Sequence, residues 1–243
     1  MSAEKISVRD VRKAFGALPV VGGVSFDVAE GEFVAIVGPS GCGKSTLMNM
    51  IAGFEQPDRG EVRVDGATLH GPGPKGIVIS QHGSVFPWLT VQQNLMFGLA
   101  GQAHAQDAAL ADHYAEMVGL KGFERAYPHE LSGGMLKRVE LARALVVKPD
   151  ILYMDEPFSA LDALMNLRMR NELLRVLGEE RHTVLLITHD VEEAVYMADR
   201  ILVLSPRPTT IQATFEVKLP HPRRLAGPEA QALREAVLKE LGL

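Results

Sequence analysis

The sequence predicts an α/β fold built on a mainly parallel sheet, with an antiparallel sheet toward the N-terminus and an inserted helical segment. Three observations predict it. Short apolar runs bounded by Gly, Pro or acidic residues recur at Phe33 to Val37, Ile77 to Ser80, Ile151 to Met154, Thr183 to Thr188 and Ile201 to Leu204. Rich in Val, Ile and Leu and free of polar alternation, they read as strands covered on both faces. By contrast, Lys5 to Asp10 and Glu61 to Asp65 alternate, with Val62 and Val64 set against Glu61, Arg63 and Asp65, the pattern of antiparallel strands with one solvated face. Between about Thr90 and Pro149 the spacing becomes helical, with Leu110, Tyr114, Met117 and Val118 on one stripe and Leu136, Val139, Leu141, Ala142 and Leu145 on another.

Taken in order, the alternating segment Lys5 to Asp10 opens the chain, and Phe33 to Val37 is the first buried strand. A glycine-rich turn follows it and leads into a helical run, Thr46 to Ala52. The segment from about 90 to 149 is expected to be an insert rather than an independent domain, because buried-strand patterns resume at Ile151. Residues 205–243 form a C-terminal extension, Pro-rich and extended from Ser205 to His221, then helical from Pro228 with Ala230, Leu233, Val237 and Leu241 on its apolar side. The expectation is one domain over residues 1–243, without internal repeats.

Composition narrows the function classes. The chain has 243 residues, 47% hydrophobic, enough to bury a sizeable core. With 25 Lys+Arg against 30 Asp+Glu the formal charge is -5, which lacks the basic footprint of a protein living on nucleic acid. No nucleic acid partner is expected. Cys42 alone allows no internal disulfide and no thiolate zinc cluster, and the eight histidines show no HExxH spacing. No window approaches the roughly 20 apolar residues of a bilayer span, and Met1 to Asp10 lacks the apolar centre of a signal peptide. A soluble chain is expected, held at any membrane by a partner.

The glycine-rich turn carries the strongest chemical signal. Gly38-Pro39-Ser40-Gly41-Cys42-Gly43-Lys44-Ser45 matches GxxxxGK[ST] directly after a strand and before a helix. Such a loop curls so that successive N–H groups meet phosphate oxygens at a helix N-terminus. A triphosphate is the expected guest, with Lys44 on its β- and γ-phosphates and the Ser45 hydroxyl on Mg²⁺. Far along the chain, Ile151 to Met154 ends in Asp155-Glu156, acid at the carboxyl edge of a parallel strand, where α/β folds bind ligands. Asp155 suits the Mg²⁺ shell and Glu156 the polarising of an attacking water.

With these elements in place the chain resembles the ATP-binding subunits of ABC transporters over residues 5 to 205. Leu131-Ser132-Gly133-Gly134-Met135 looks like the family's signature loop; Gln81, Ser159-Ala160-Leu161-Asp162 and His189 follow in the family's order. The resemblance implies a P-loop NTPase core in the ABC ATPase fold, binding ATP and Mg²⁺. It further implies that Phe15 stacks on adenine, that Gly38 to Thr46 hold the phosphates, and that Ser132, Gly133, Gly134 and Asp162 act on nucleotide bound by a second copy. Gln81 would sense metal and water, His189 would contact the γ-phosphate, and Asp155 and Glu156 keep the roles above. As implied partners it brings a second copy in a head-to-tail dimer, transmembrane permease subunits and, through them, an external solute-binding protein, at the cytoplasmic face of the inner membrane.

Two departures mark the chain. Phe15 stands where many members carry Tyr, and Met135 where the widest pattern has Gln. Met135, with Phe86-Pro87-Trp88-Leu89-Thr90-Val91 and the Pro-rich tail, resembles the importers of nitrate, taurine and alkanesulfonates, although Thr209-Thr210 replace that group's usual Gly and basic residue. The rival readings are an ABC-type ATPase energising another membrane complex, a mechanical clamp on DNA or ribosomes, and a P-loop kinase. The clamp predicts coiled-coil insertions, tandem halves or basic surfaces, and the kinase needs no signature loop.

Overall fold

Apolar runs of five residues, too short for helices and with no polar side to turn outward, form the central strands. In chain order the elements are β1 (Glu4–Phe15), β2 (Leu18–Ala29), β3 (Phe33–Val37), α1 (Lys44–Ile51), β4 (Arg59–Val64), β5 (Ala67–Thr68), β6 (Gly76–Ile79), α2 (Val91–Phe97), α3 (Ala105–Met117), α4 (Gly133–Leu145), β7 (Ile151–Asp155), α5 (Ala163–Glu180), β8 (Thr183–Ile187), α6 (Val191–Met197), β9 (Arg200–Leu204), β10 (Ile211–Glu216) and α7 (Pro228–Glu240), with a 3-10 turn at Pro128–Glu130. The computed structural model describes residues 3–80, 83–99, 105–159 and 161–243. Gln81 and Ala160 lie outside them.

The described chain forms two compact units. One comprises residues up to Gly76, Tyr153–Asp155 and Thr183–Leu243. In it β8, β3 and β9 run parallel, Ile36 pairing with Ile187 on one side and Leu202 on the other, and β10 closes the edge antiparallel to β9. Tyr153–Asp155 continue the sheet beyond β8. Every residue of β3 and β8 is buried, which is why their sequences carry no alternation.

A second sheet in this unit, in the order β2-β1-β4-β5, is antiparallel. Alternation breaks down at its start, because Lys5 and Ser7, expected to face solvent, are buried. Lys5 Nζ pairs with Asp65 at 3.1 Å, the condition on which a buried ammonium is tolerated. Within the tail expected to be extended, Ile211–Glu216 is a strand whose residues alternate between half-buried and exposed.

The other unit comprises Ile77–Leu152 and Glu156–His182. Here α2, α3 and α4 pack on one another around Leu95, Tyr114, Val118, Leu120, Val139 and Leu141, all buried. Thr90 caps α2 by a reciprocal pair of bonds with Gln93.

Candidate nucleotide site

The turn after β3 is shaped by its own surroundings. Gly41 and Gly43 lie at φ 72° and 120°, a region L side chains rarely adopt. At Gly43 a Cβ would also stand 2.8 Å from Val20 Cγ1. Gly43 is the N-cap of α1, and no side chain caps the helix. Its first-turn N–H groups, which have no intrahelical acceptor, are thus left to the concave side of the turn. Lys44 is buried and folds back over the turn, its Nζ donating to the carbonyls of Gly38 (2.9 Å) and Pro39 (3.0 Å). Ser40 and Ser45 are exposed, Thr46 half-buried, and Cys42 buried. N–H donors plus one held ammonium fit a phosphate chain.

Two more residues reach the same edge of the sheet. Because β8 is parallel to β3, the residue after its end emerges beside the turn: Thr188 N–H still donates to Ile36 at 3.2 Å, and His189 then projects, exposed. The backbone there is fixed by Asp190, whose N–H donates to Thr188 Oγ1 at 3.0 Å and whose carboxylate caps α6 through the N–H groups of Glu192 (2.9 Å) and Glu193 (3.3 Å). Asp155, half-buried, ends β7 on the far side of β8. The exposed hydroxyl of Ser45 and the carboxylate of Asp155 are hard oxygen donors, the chemistry Mg²⁺ takes.

Phe15 ends β1 opposite Leu18 in the hairpin, and 50% of it is exposed. Two residues past Leu18 on the same strand, Val20 packs on Gly43, so the hairpin end and the turn belong to one neighbourhood. Lys13 Nζ lies 5.5 Å from the Phe15 ring centroid.

Glu156, considered by itself, has φ 49°, a left-handed conformation that costs a non-glycine residue on the order of 1 kcal/mol and concentrates at functional sites. Its carbonyl accepts from the N–H (3.3 Å) and Oγ (3.0 Å) of Ser159, which closes the turn.

In the helical unit, Ser132 caps α4, its Oγ accepting from Met135 N–H at 3.3 Å. Ser132 and Gly133 are exposed and Gly134 half-buried. A Cβ at Gly133 would meet nothing within 4 Å. Asp162 caps α5 through Met165 N–H at 3.0 Å; burial pushes the pKa of Arg138 down, against the opposing pull of this carboxylate. Gln81 falls outside the described residues, but both its flanks are held by α4. Lys137 Nζ donates to the Ser80 carbonyl at 2.5 Å, and Ser84 N–H donates to the Glu140 carboxylate. Lys137 and Glu140 are themselves a buried pair at 3.0 Å. Their charged i,i+3 spacing inside an apolar helical run was the available signal, and stripe reading passes over it.

The pattern of the ABC transporter family matches residues 21–159. A chain of Brucella abortus biovar 1 is 48% identical over 238 residues, 96% of this chain and 92% of that one. The aliphatic sulfonates import ATP-binding protein of Bacillus cereus is 39% identical, covering 97% of this chain and 95% of its own length. For the nitrate import ATP-binding protein of Synechocystis the figures are 44%, 88% and 83%. Among solved structures, a dimeric ATP-binding cassette in a post-hydrolysis state with ADP and Pi superposes with a TM-score of 0.79 at 29% identity, covering 88% of this chain and 99% of that one. Strand order, phosphate turn and relatives agree: this chain belongs to the ABC transporter family and is one of its ATP-binding cassette ATPases.

Proposed function

We propose that the chain powers import of a small anionic solute, of the nitrate, sulfonate or taurine type, by an ATP-driven dimer of two copies. The observation that carries the reading is the contrast between two glycine loops. One is packed by its own chain against Val20, whereas among the described residues, its neighbours and its own helix aside, nothing lies within 4 Å of a Cβ placed on Gly133. In this reading the open glycine at the start of α4 allows the close approach of the nucleotide held by the second copy.

Residue roles follow. Gly38 to Thr46 and Lys44 hold the phosphates, while Phe15 offers an aromatic face to adenine. Ser45, Asp155 and Gln81 would hold Mg²⁺, which when bound supplies neutralising charge at the phosphate oxygens. Glu156 orients water in line and His189 steadies the terminal phosphate. Ser132, Gly133, Gly134 and Asp162 of the partner close the chamber. Hydrolysis removes the charge that joins the faces, and they part.

The proposed permease surface is the segment 83–94. Trp88 is 69% exposed beside Phe86, whose ring meets Phe97 at 4.4 Å and the Arg143 guanidinium at 4.9 Å. Ile77, Ile79 and Val147 complete a mostly apolar cavity of about 240 Å³ there, suited to an amphipathic helix. No helix among the described residues is long and apolar enough to cross a membrane. In this reading membrane association runs through the permease, which the external solute-binding protein engages.

The test is Glu156→Gln. ATP binding stays intact, turnover falls by about a hundredfold or more, and ATP traps a dimer visible by light scattering. Normal turnover in that variant removes Glu156 from the mechanism; brisk wild-type turnover by a strict monomer at high dilution removes the dimer.

A further inference from the structure

The C-terminal extension begins at the phosphate turn. Strand β9 lies parallel to β3, Val203 beside Val37, so both leave the sheet at the same edge. Residues 205–210 then close a loop, Ser205 N–H donating to the Thr210 carbonyl and Thr210 N–H to Ser205 Oγ, each at 3.0 Å. Thr209, fully buried, fastens that loop down. Its Oγ1 donates to the Cys42 carbonyl, its N–H donates to Val20 at 2.8 Å, and its carbonyl accepts from Gly22 N–H at 2.8 Å.

This latch carries Arg207 to the rim of the turn, where Nη2 stands 3.1 Å from the position a Cβ would take on Gly41. The side chain is exposed, and among the described residues no hydrogen bond or ion pair occupies its guanidinium. Lys44 already places one cation on the inner side of the same turn. Two cations at one short loop repel unless an anion of high charge joins them. A guanidinium with an unengaged donor fork matches phosphate oxygens.

We infer that Arg207 is a second cationic contact for the phosphates of the bound nucleoside triphosphate, delivered to the rim by the Thr209 latch. The inference rests on the triphosphate reading of the turn and adds to it a residue from outside the glycine-rich motif.

The experiment titrates ATP into the full chain and into Arg207→Ala, Arg207→Lys and Lys44→Ala by calorimetry at low and high salt, with the nucleotide-free Tm of each. Arg207→Ala weakens ATP binding by about five- to tenfold at low salt, with a shallower salt dependence and an unchanged Tm. Arg207→Lys recovers part of the loss. Wild-type affinity in Arg207→Ala overturns the inference, including the case where only ATP-dependent dimerisation changes, which would give Arg207 to the partner copy. A loss matched by a fall in nucleotide-free Tm, with no recovery in Arg207→Lys, overturns it as well. Should Lys44→Ala bind ATP as well as the wild type, the triphosphate reading itself fails; loss in Lys44→Ala alone removes only Arg207.

Discussion

The two glycine loops make an instructive pair. The turn at Gly38 to Gly43 is boxed in by Val20, Cys42 and Leu204, so its shape is imposed by the unit that contains it. The loop at Ser132 to Gly134 carries the same residue types at a helix start, yet among the described residues nothing crowds a Cβ placed on Gly133. A glycine that its own fold crowds and one that it leaves open look identical in sequence. Only the surroundings separate them.

Three substitutions exploit that difference. The largest effect is expected from Ser132→Arg: turnover drops by about a hundredfold or more while ATP affinity of the isolated subunit stays within about twofold. Equilibrium binding and steady-state phosphate release check this, and a large loss of monomer affinity would place the loop in the subunit's own pocket. Next comes the pair Gly43→Ala and Gly133→Ala. The first loses about 1–3 kcal/mol, from positive φ and the clash with Val20; the second stays within about 0.5 kcal/mol. Urea unfolding of both variants measures the contrast, and equal losses would dissolve it.

The smallest effect concerns a region that touches neither loop. Lys75, then Lys5, holds the Asp65 carboxyl below its ordinary 3.8. A carboxylate depressed on folding stabilises above its unfolded value, and that contribution is lost as pH falls through the folded one. Wild-type Tm is therefore expected to drop more steeply below about pH 4 than that of Asp65→Asn. Parallel acid limbs would show that the pair adds nothing.

Much of this architecture was legible because it is local. Strands β3, β7, β8 and β9 announce themselves since burial on both faces leaves a run of apolar or aromatic residues with a charged residue or threonine only at its ends, and the phosphate turn is contiguous. Strand β2 escaped notice because Pro19 and Gly22-Gly23 break its pattern, and its pairing with β1 includes shifts of register. Strand β10 was hidden by the prolines before it. Of the site, the motif residues were readable one by one, but not the Thr209 latch, 167 residues from the carbonyl it grips. The clamp of Lys137 and Glu140 around positions 80 to 84 was hidden for the same reason: pairing across the fold leaves no periodic trace.

Arg223 anchors the tail. Its buried guanidinium donates to the carbonyls of Val195, Tyr196 and Ala198 at the end of α6, and to those of Val217 and Leu219. At the other end of that seven-residue helix stand its N-cap, Asp190, and, one residue before it, His189. A protease nick between Leu219 and Arg223 would thus strip the cap from one end of a two-turn rod whose opposite end bears the histidine, making the tail a splint rather than an ornament.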